Sequence, residues 1–199
     1  MNRPTTIALT VALIGGTALG GSAVASGSAF AAPRDGSAVH HDLNHTDLHH
    51  TDPHHGPSRA QQEQLAADWV QLWNGDYQLA KQIIAPDVRV HAALMDGGDG
   101  SAFHGPAGML DFIKQIRGAF PDLHFAVDVG PMIDGDHVVV RWIATGTYGG
   151  GFPGATAPVG TKVKFTGTDT LAARHGQIHE YWLNADTLLL IGQLKVVAG

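Results

Sequence analysis

Residues 161–194 read TKVKFTGTDTLAARHGQIHEYWLNADTLLLIGQL, and this stretch constrains the fold more than any other. Val163, Phe165, Gly167, Asp169 and Leu171 alternate with Lys164, Thr166, Thr168 and Thr170. A period of two predicts a strand with one face buried. His175-Gly176 supplies a turn, the glycine suited to positive φ. Beyond it Ile178, Glu180 and Trp182 alternate with His179, Tyr181 and Leu183, a second strand of the same hairpin. Between Asp169 and Trp182 the hairpin carries carboxylate, imidazole, phenol and indole groups.

Two more strands precede it. Leu123, Phe125, Val127 and Val129 alternate with His124, Ala126 and Asp128, and Asp134-Gly135 is a strong hairpin turn. Val138, Val140, Trp142, Ala144 and Tyr148 then alternate with Val139, Arg141, Ile143 and Thr145. The loop GGGFPGATAPVG that follows is glycine-rich, but no GK[ST] and no helix come after it, which argues against phosphate binding. Upstream the period changes to that of helices. Ser58-Arg59-Ala60-Gln61 is a capping-box pattern ahead of Leu65, Trp69, Leu72 and Trp73, and Asn74-Gly75 stops that helix. Leu79, Ala80, Ile83 and Ile84 predict a shorter helix ended by Pro86, and Val88 to Ala93 a strand. Pro106 opens a third helix with the apolar stripe Met109, Phe112, Ile113, Ile116 and Phe120. The order predicts an α+β fold: a curved antiparallel sheet packed on about three helices, enclosing a pocket.

The N-terminal part reads differently. Residues 1–31 carry one Arg, no acid, an apolar run and Ala29-Phe30-Ala31 as a cleavage signal, the layout of a secretion signal peptide. Residues 32–57 hold His40, His41, His45, His49, His50, His54 and His55 among Asp and small polar residues. So little apolar content predicts a disordered linker. Its imidazoles and carboxylates suit weak zinc, copper or nickel binding, lost as the imidazoles protonate. Residues 58–199 form the folded domain; no metal site is expected within it. Cysteine is absent, so an exported chain would rest on core packing alone. Removing residues 1–31 takes only Arg3 from a net charge of −6 and leaves −7. That balance, without basic clusters, argues against nucleic acid as a partner. Nothing suggests a membrane surface after signal cleavage.

AFPD (Ala119 to Asp122), VVVRW (Val138 to Trp142) and the GxIxExW pattern from Gly176 to Trp182 resemble the SnoaL-like polyketide cyclases and bacterial ester cyclases. The resemblance implies a ketosteroid-isomerase-like barrel and a homodimer. It also implies acid/base chemistry without a cofactor: an aldol-type ring closure, or a related isomerisation, on an apolar oxygenated small molecule. In that family the residue after the last strand's Trp is the catalytic aspartate; here it is Leu183. The family's pocket histidine aligns with Asp169. The expected acid is lost and another acid stands nearby.

Asp169 interrupts an apolar strand face, where desolvation should raise its pKa toward that of a working acid/base. A structural carboxylate, bonded to backbone or facing a subunit interface, is the alternative. His179 is the second catalytic candidate, in phase with Leu183 if the strand is regular. His91, Tyr181, Leu183, Trp142 and Phe112 are the candidates for the pocket wall. A two-residue turn places Asp169 opposite Trp182, and a three-residue loop places it opposite Tyr181. Loss of the acid at 183 also leaves room for a different function, an exported non-catalytic binder of small apolar ligands.

Overall fold

The computed structural model describes residues 57–197. The leader and the His/Asp-rich linker lie outside the described residues, and with them the tail histidines named above. Helix α1 (Arg59–Trp73) starts where the capping box places it: Ser58 Oγ accepts from Gln61 N, and Gln61 Oε1 accepts from Ser58 N at 2.7 Å. Its stripe of Leu65, Trp69, Leu72 and Trp73 is buried. At the other end, the Asn74 side chain engages both main-chain groups of Phe125. Its Nδ2 donates to Phe125 O at 2.9 Å, and Phe125 N donates to its Oδ1 at 2.8 Å. The amide thus stands in for a neighbouring strand and welds the helix to the sheet edge. Asn74→Ala leaves both groups of Phe125 without that partner and is expected to cost about 1–3 kcal/mol in urea denaturation. An unchanged midpoint would show that water replaces the amide at no loss.

The second helix is shorter than its pattern suggests. A 3-10 turn (Tyr77–Leu79) runs into α2 (Ala80–Ile83), and strand β1 (Ile84–Ala92) begins at once. Pro86 therefore lies inside a strand and does not end a helix. It is tolerated because β1 is an edge strand whose ladder is interrupted between Ile84 and Arg89. Helix α3 (Gly105–Gly118) follows with Pro106 in its first turn, and buries Met109, Phe112 and Ile113. The remaining elements are β2 (His124–Asp134), β3 (His137–Thr147), β4 (Lys162–Arg174), β5 (Gln177–Ala185) and α4 (Thr187–Gln193).

The five strands form one sheet in the order β1-β5-β4-β3-β2. The α+β class is as expected, but the sheet is mixed: β1 runs parallel to β5 while the other neighbours are antiparallel. Strands so far apart in sequence are not joined by a hairpin, so no turn signal announces their direction. Val127 and Val129 are also not buried as their alternation suggests; they are 47% and 50% exposed. Strand β2 is the other edge, and its register slips twice between Val127 and Met132. The glycine-rich loop is tied at both flanks: Tyr148 N donates to Thr161 O, and the N–H groups of Thr156 and Ala157 donate to Leu194 O.

The AFPD motif is a fastening. Asp122 accepts from Thr147 N at 2.5 Å and Thr147 Oγ1 at 2.6 Å, which joins the start of β2 to the end of β3. Arg117 makes a similar tie, donating to Trp73 O and Leu123 O.

Candidate active site

The hairpin of β4 and β5 follows neither expected register. Arg174 pairs with Gln177 across the two-residue turn and Ala173 with Ile178, but Ala172 then pairs with Glu180. His179 is an extra residue, a β-bulge, and every later pair moves by one. Leu171 faces Tyr181, and Asp169 lies opposite Leu183. The bulge also resets the phase of β5, so Ile178 and Tyr181 are both completely buried although one number is even and the other odd.

Asp169 is consequently in the core, 3% exposed. Trp69 Nε1, from α1, donates to its Oδ2 at 2.8 Å, and Tyr181 Oη donates to its Oδ1 at 3.1 Å. The Trp69 and Tyr181 rings meet edge to face at 4.7 Å. Burial pushes the Asp169 carboxyl up to about 6, although hydrogen bonds from Trp69 and Tyr181 and the nearby Trp142 indole favour the anion. Burial raises the Tyr181 phenol too, with the Asp169 charge adding to the effect, so the phenol stays protonated and donates.

The carboxyl borders a chamber of about 40 Å³. Trp73, Phe125, Trp142 and Phe165 form its aromatic wall, while Ile116, Leu183 and Ala185 complete it. Those last three are half-buried, so they stand on its solvent side. Trp142 owes its place to Gly167, its cross-strand partner: a Cβ there would lie 2.2 Å from Trp142 Cζ2. The Trp73 indole nitrogen is buried without a hydrogen-bond partner, while that of Trp142 is directed toward the Asp169 carboxyl without closing a hydrogen bond of ordinary geometry.

Of the residues proposed from sequence, the structure brings Asp169, Tyr181, Leu183 and Trp142 together. It does not bring in the others. His179, the bulge residue, is turned away from the chamber and its Nδ1 sits 3.0 Å from Asp87 Oδ1. His91 is on the opposite face of the sheet, 2.8 Å from Glu180 Oε1 and stacked on Trp182 at 5.1 Å. Phe112 is core, packed on Trp73 and Phe103 behind the wall. Sequence reasoning missed Trp69 and Trp73 as site residues, because an i, i+4 aromatic pair on a helix reads as ordinary core. Phe125, Phe165, Ile116 and Ala185 were likewise legible only as apolar positions. Among the described residues no group of three His, Cys, Asp or Glu side chains could hold a metal ion. A wider surface groove of about 570 Å³, bordered by Asp68, Asp136, Arg174 and His175, has only solvent-accessible charged groups.

Asp169 and Leu183 are direct partners on adjacent strands, so the carboxyl lies one strand away from position 183 at the same depth. Leu183 supplies an apolar wall beside it.

Comparisons with known proteins agree with this architecture. Residues 63–194 match the family model described as SnoaL-like polyketide cyclase. No curated protein matches the sequence. The structure of TsrD from Streptomyces laurentii is similar, with 24% identity and a TM-score of 0.60, covering 71% of this chain and 99% of that one. IdmH from Streptomyces antibioticus, a putative polyketide cyclase, has 27% identity and a TM-score of 0.57, covering 68% and 99%. A putative polyketide cyclase from Acidithiobacillus ferrooxidans has 23% identity and a TM-score of 0.57, covering 70% and 97%. The family match contains every residue of the chamber, and the chain belongs to the SnoaL-like polyketide cyclase family.

Proposed function

We propose that the chamber performs acid/base chemistry at carbon, an aldol-type ring closure or a related isomerisation, on an apolar oxygenated small molecule. Membership of the family supports a cyclase- or isomerase-type activity. The observation that carries the finer reading is a buried carboxyl in an aromatic chamber, with both oxygens fixed by hydrogen bonds. Held by Trp69 and Tyr181, the carboxylate cannot swing away, and its raised basicity suits removal of a proton beside a carbonyl. The C–H pair becomes the enolate C=C as the proton passes to Asp169. In a ring closure the enolate carbon attacks a second carbonyl, whose oxygen takes up a proton in turn. No cofactor enters these steps. The leader-like residues 1–31 support export of the enzyme.

The test is deuterium uptake in D2O by a panel of β-ketoesters and 1,3-diketones, followed by mass analysis. The wild-type chain is expected to exchange at least one of them faster than buffer, and Asp169→Asn to lose the excess. Ligands that raise the melting temperature without any exchange would make the chamber a binding site and overturn the catalytic reading. Equal exchange by Asp169→Asn would move the base elsewhere.

A further inference from the structure

Among the described residues seven large apolar side chains are well exposed, and four of them, Val159, Leu188, Leu189 and Val197, stand at one end of the molecule. The strand register defines that end. Strand β3 finishes there at Thr147, opposite Lys162 at the start of β4, and β5 finishes there at Ala185. Main-chain bonds join the other pieces to it: Val197 N donates to Gly154 O, and Tyr148 N to Thr161 O, on either side of Val159 and its loop. Helix α4 buries Leu190 and leaves Leu188 and Leu189 exposed by 80% and 51%. Single apolar side chains on a surface need no explanation, but a group of them marks a contact surface.

The same end gathers lysines. Lys162 and Lys164 open β4, and Lys195 follows directly on the C-cap of α4. Lys164 lies beside α4, because Gln193 of that helix takes both of its main-chain groups at 2.8 Å. Gln193 in turn donates to Leu189 O at 3.0 Å, which sets the exposed leucine next to this site. Among the described residues none of the three ammonium groups is paired with a carboxylate. Two acids of this end are already occupied, Asp122 by Thr147 and Asp186 by Thr166 Oγ1. The opposite end of the sheet, at the turn from β2 to β3, carries Asp134 and Asp136. Read along the chain, these lysines fall in two separate segments and form no basic cluster. The sheet and α4 bring them together.

We propose that this end of the domain is a docking surface for an anionic lipid bilayer, with Leu188 and Leu189 entering the interface and Lys162, Lys164 and Lys195 meeting lipid phosphates. Apolar side chains beside ammonium groups on long flexible stems are the pattern of helices that lie in a membrane interface. Charge selects this occupant over a second copy: two basic ends repel, whereas each lysine near an anionic leaflet strengthens binding by roughly 5-fold. Docking also has a consequence for the chamber. Leu183 and Ala185, on its solvent side, are among the last residues of β5 before α4. A docked domain therefore holds that wall near the phase in which an apolar molecule concentrates. The docking itself does not depend on the acid/base reading.

The chain beginning at Ala32 contains every described residue and omits the apolar leader, which would confound a lipid assay. It is sedimented with phosphatidylcholine vesicles containing about 30% phosphatidylglycerol, near pH 8 so that the tail imidazoles stay neutral. Capture is expected to exceed that by pure phosphatidylcholine by about 10-fold, and to fall in about 0.5 M salt. Lys164→Gln with Lys195→Gln should weaken binding by about 10-fold or more. Leu188→Gln with Leu189→Gln should weaken it by a similar factor. All four side chains are exposed, so melting temperatures should stay at the wild-type value. Val129→Gln with Met132→Gln, exposed apolar residues of the β2 edge, should bind as wild type does, and so should Asp169→Asn. Capture that fails while deuterium exchange persists would overturn the docking and leave the acid/base reading standing. Equal capture by neutral vesicles, or capture unmoved by the leucine pair, would also overturn it. A dimer that becomes a monomer when Leu188 and Leu189 are replaced, without vesicle capture, would give the face to a second copy instead.

Discussion

Asp169→Asn is expected to abolish proton transfer and, at neutral pH, to make the protein more stable. The carboxyl is raised from 3.8 to about 6 in the folded chain. A group with a raised folded pKa contributes its stability below the unfolded value and loses it as pH rises through the folded value. Wild-type stability should therefore fall between about pH 4 and pH 6.5, by on the order of 3 kcal/mol, as the buried carboxyl ionises. Asn has no such titration. It can also satisfy its surroundings: its oxygen accepts from Trp69, and its amide donates to Tyr181 Oη, which accepts in place of donating. Asp99 and Asp122 are shifted the other way, held low mainly by hydrogen bonds from Ser101 and Thr147. Their contributions are lost on the acid side and are common to both proteins. Urea denaturation of the two across pH 4–7 isolates the Asp169 term. Curves that stay parallel would mean that the carboxyl is not desolvated, and the basis for its chemistry would go with it.

Gly167→Ala should have the largest effect of any single methyl in the sheet. The added Cβ would stand 2.2 Å from Trp142 Cζ2, 2.5 Å from Cη2 and 2.8 Å from Asn184 O. The last of these is backbone and cannot rotate away, so the indole must leave its place. Overpacking of a core typically costs about 1–3 kcal/mol, and a displaced tryptophan puts this site at or above that range. Trp142 packs on Phe125 at 5.1 Å and Phe165 at 5.7 Å, so the aromatic wall of the chamber would be rearranged with it. Near-UV circular dichroism and thermal unfolding read both consequences. Gly118→Ala is the control: it is the last residue of α3, and an added methyl meets nothing within 4 Å. That variant should be neutral or gain up to about 1 kcal/mol from helix propensity. A Gly167→Ala protein with wild-type melting temperature and aromatic spectrum would mean that Trp142 does not sit over the glycine.

These two residues differ in how far the sequence alone could reach them. Asp169 stood out because it broke an apolar strand face, and Tyr181, Leu183 and Trp142 could be placed beside the pocket from strand phase and family resemblance. Gly167 was visible only as one more inward position. Trp69 and Trp73 carried a helical stripe, which says that a face is buried and nothing about which atoms it meets. The role of Trp69 comes from a contact between residues a hundred positions apart, its 2.8 Å bond to Asp169, and that of Trp73 from its place in the chamber wall.

By itself the sequence determined the α+β order, the capped start of α1, the hairpin turns and the presence of an acid on a buried strand face. Those features are local: periodicity, caps and turn glycines act within a few residues of chain. The tertiary structure alone decided which residues meet. One unpaired residue, His179, moved Asp169 from opposite Trp182 or Tyr181 to opposite Leu183 and turned the imidazole out of the site. It also decided that β1 joins β5 in parallel, which placed His91 on the far face with Glu180. Strand phase is conserved only along an unbroken ladder, so a bulge or a long-range pairing redraws a site that the pattern of residues leaves unchanged.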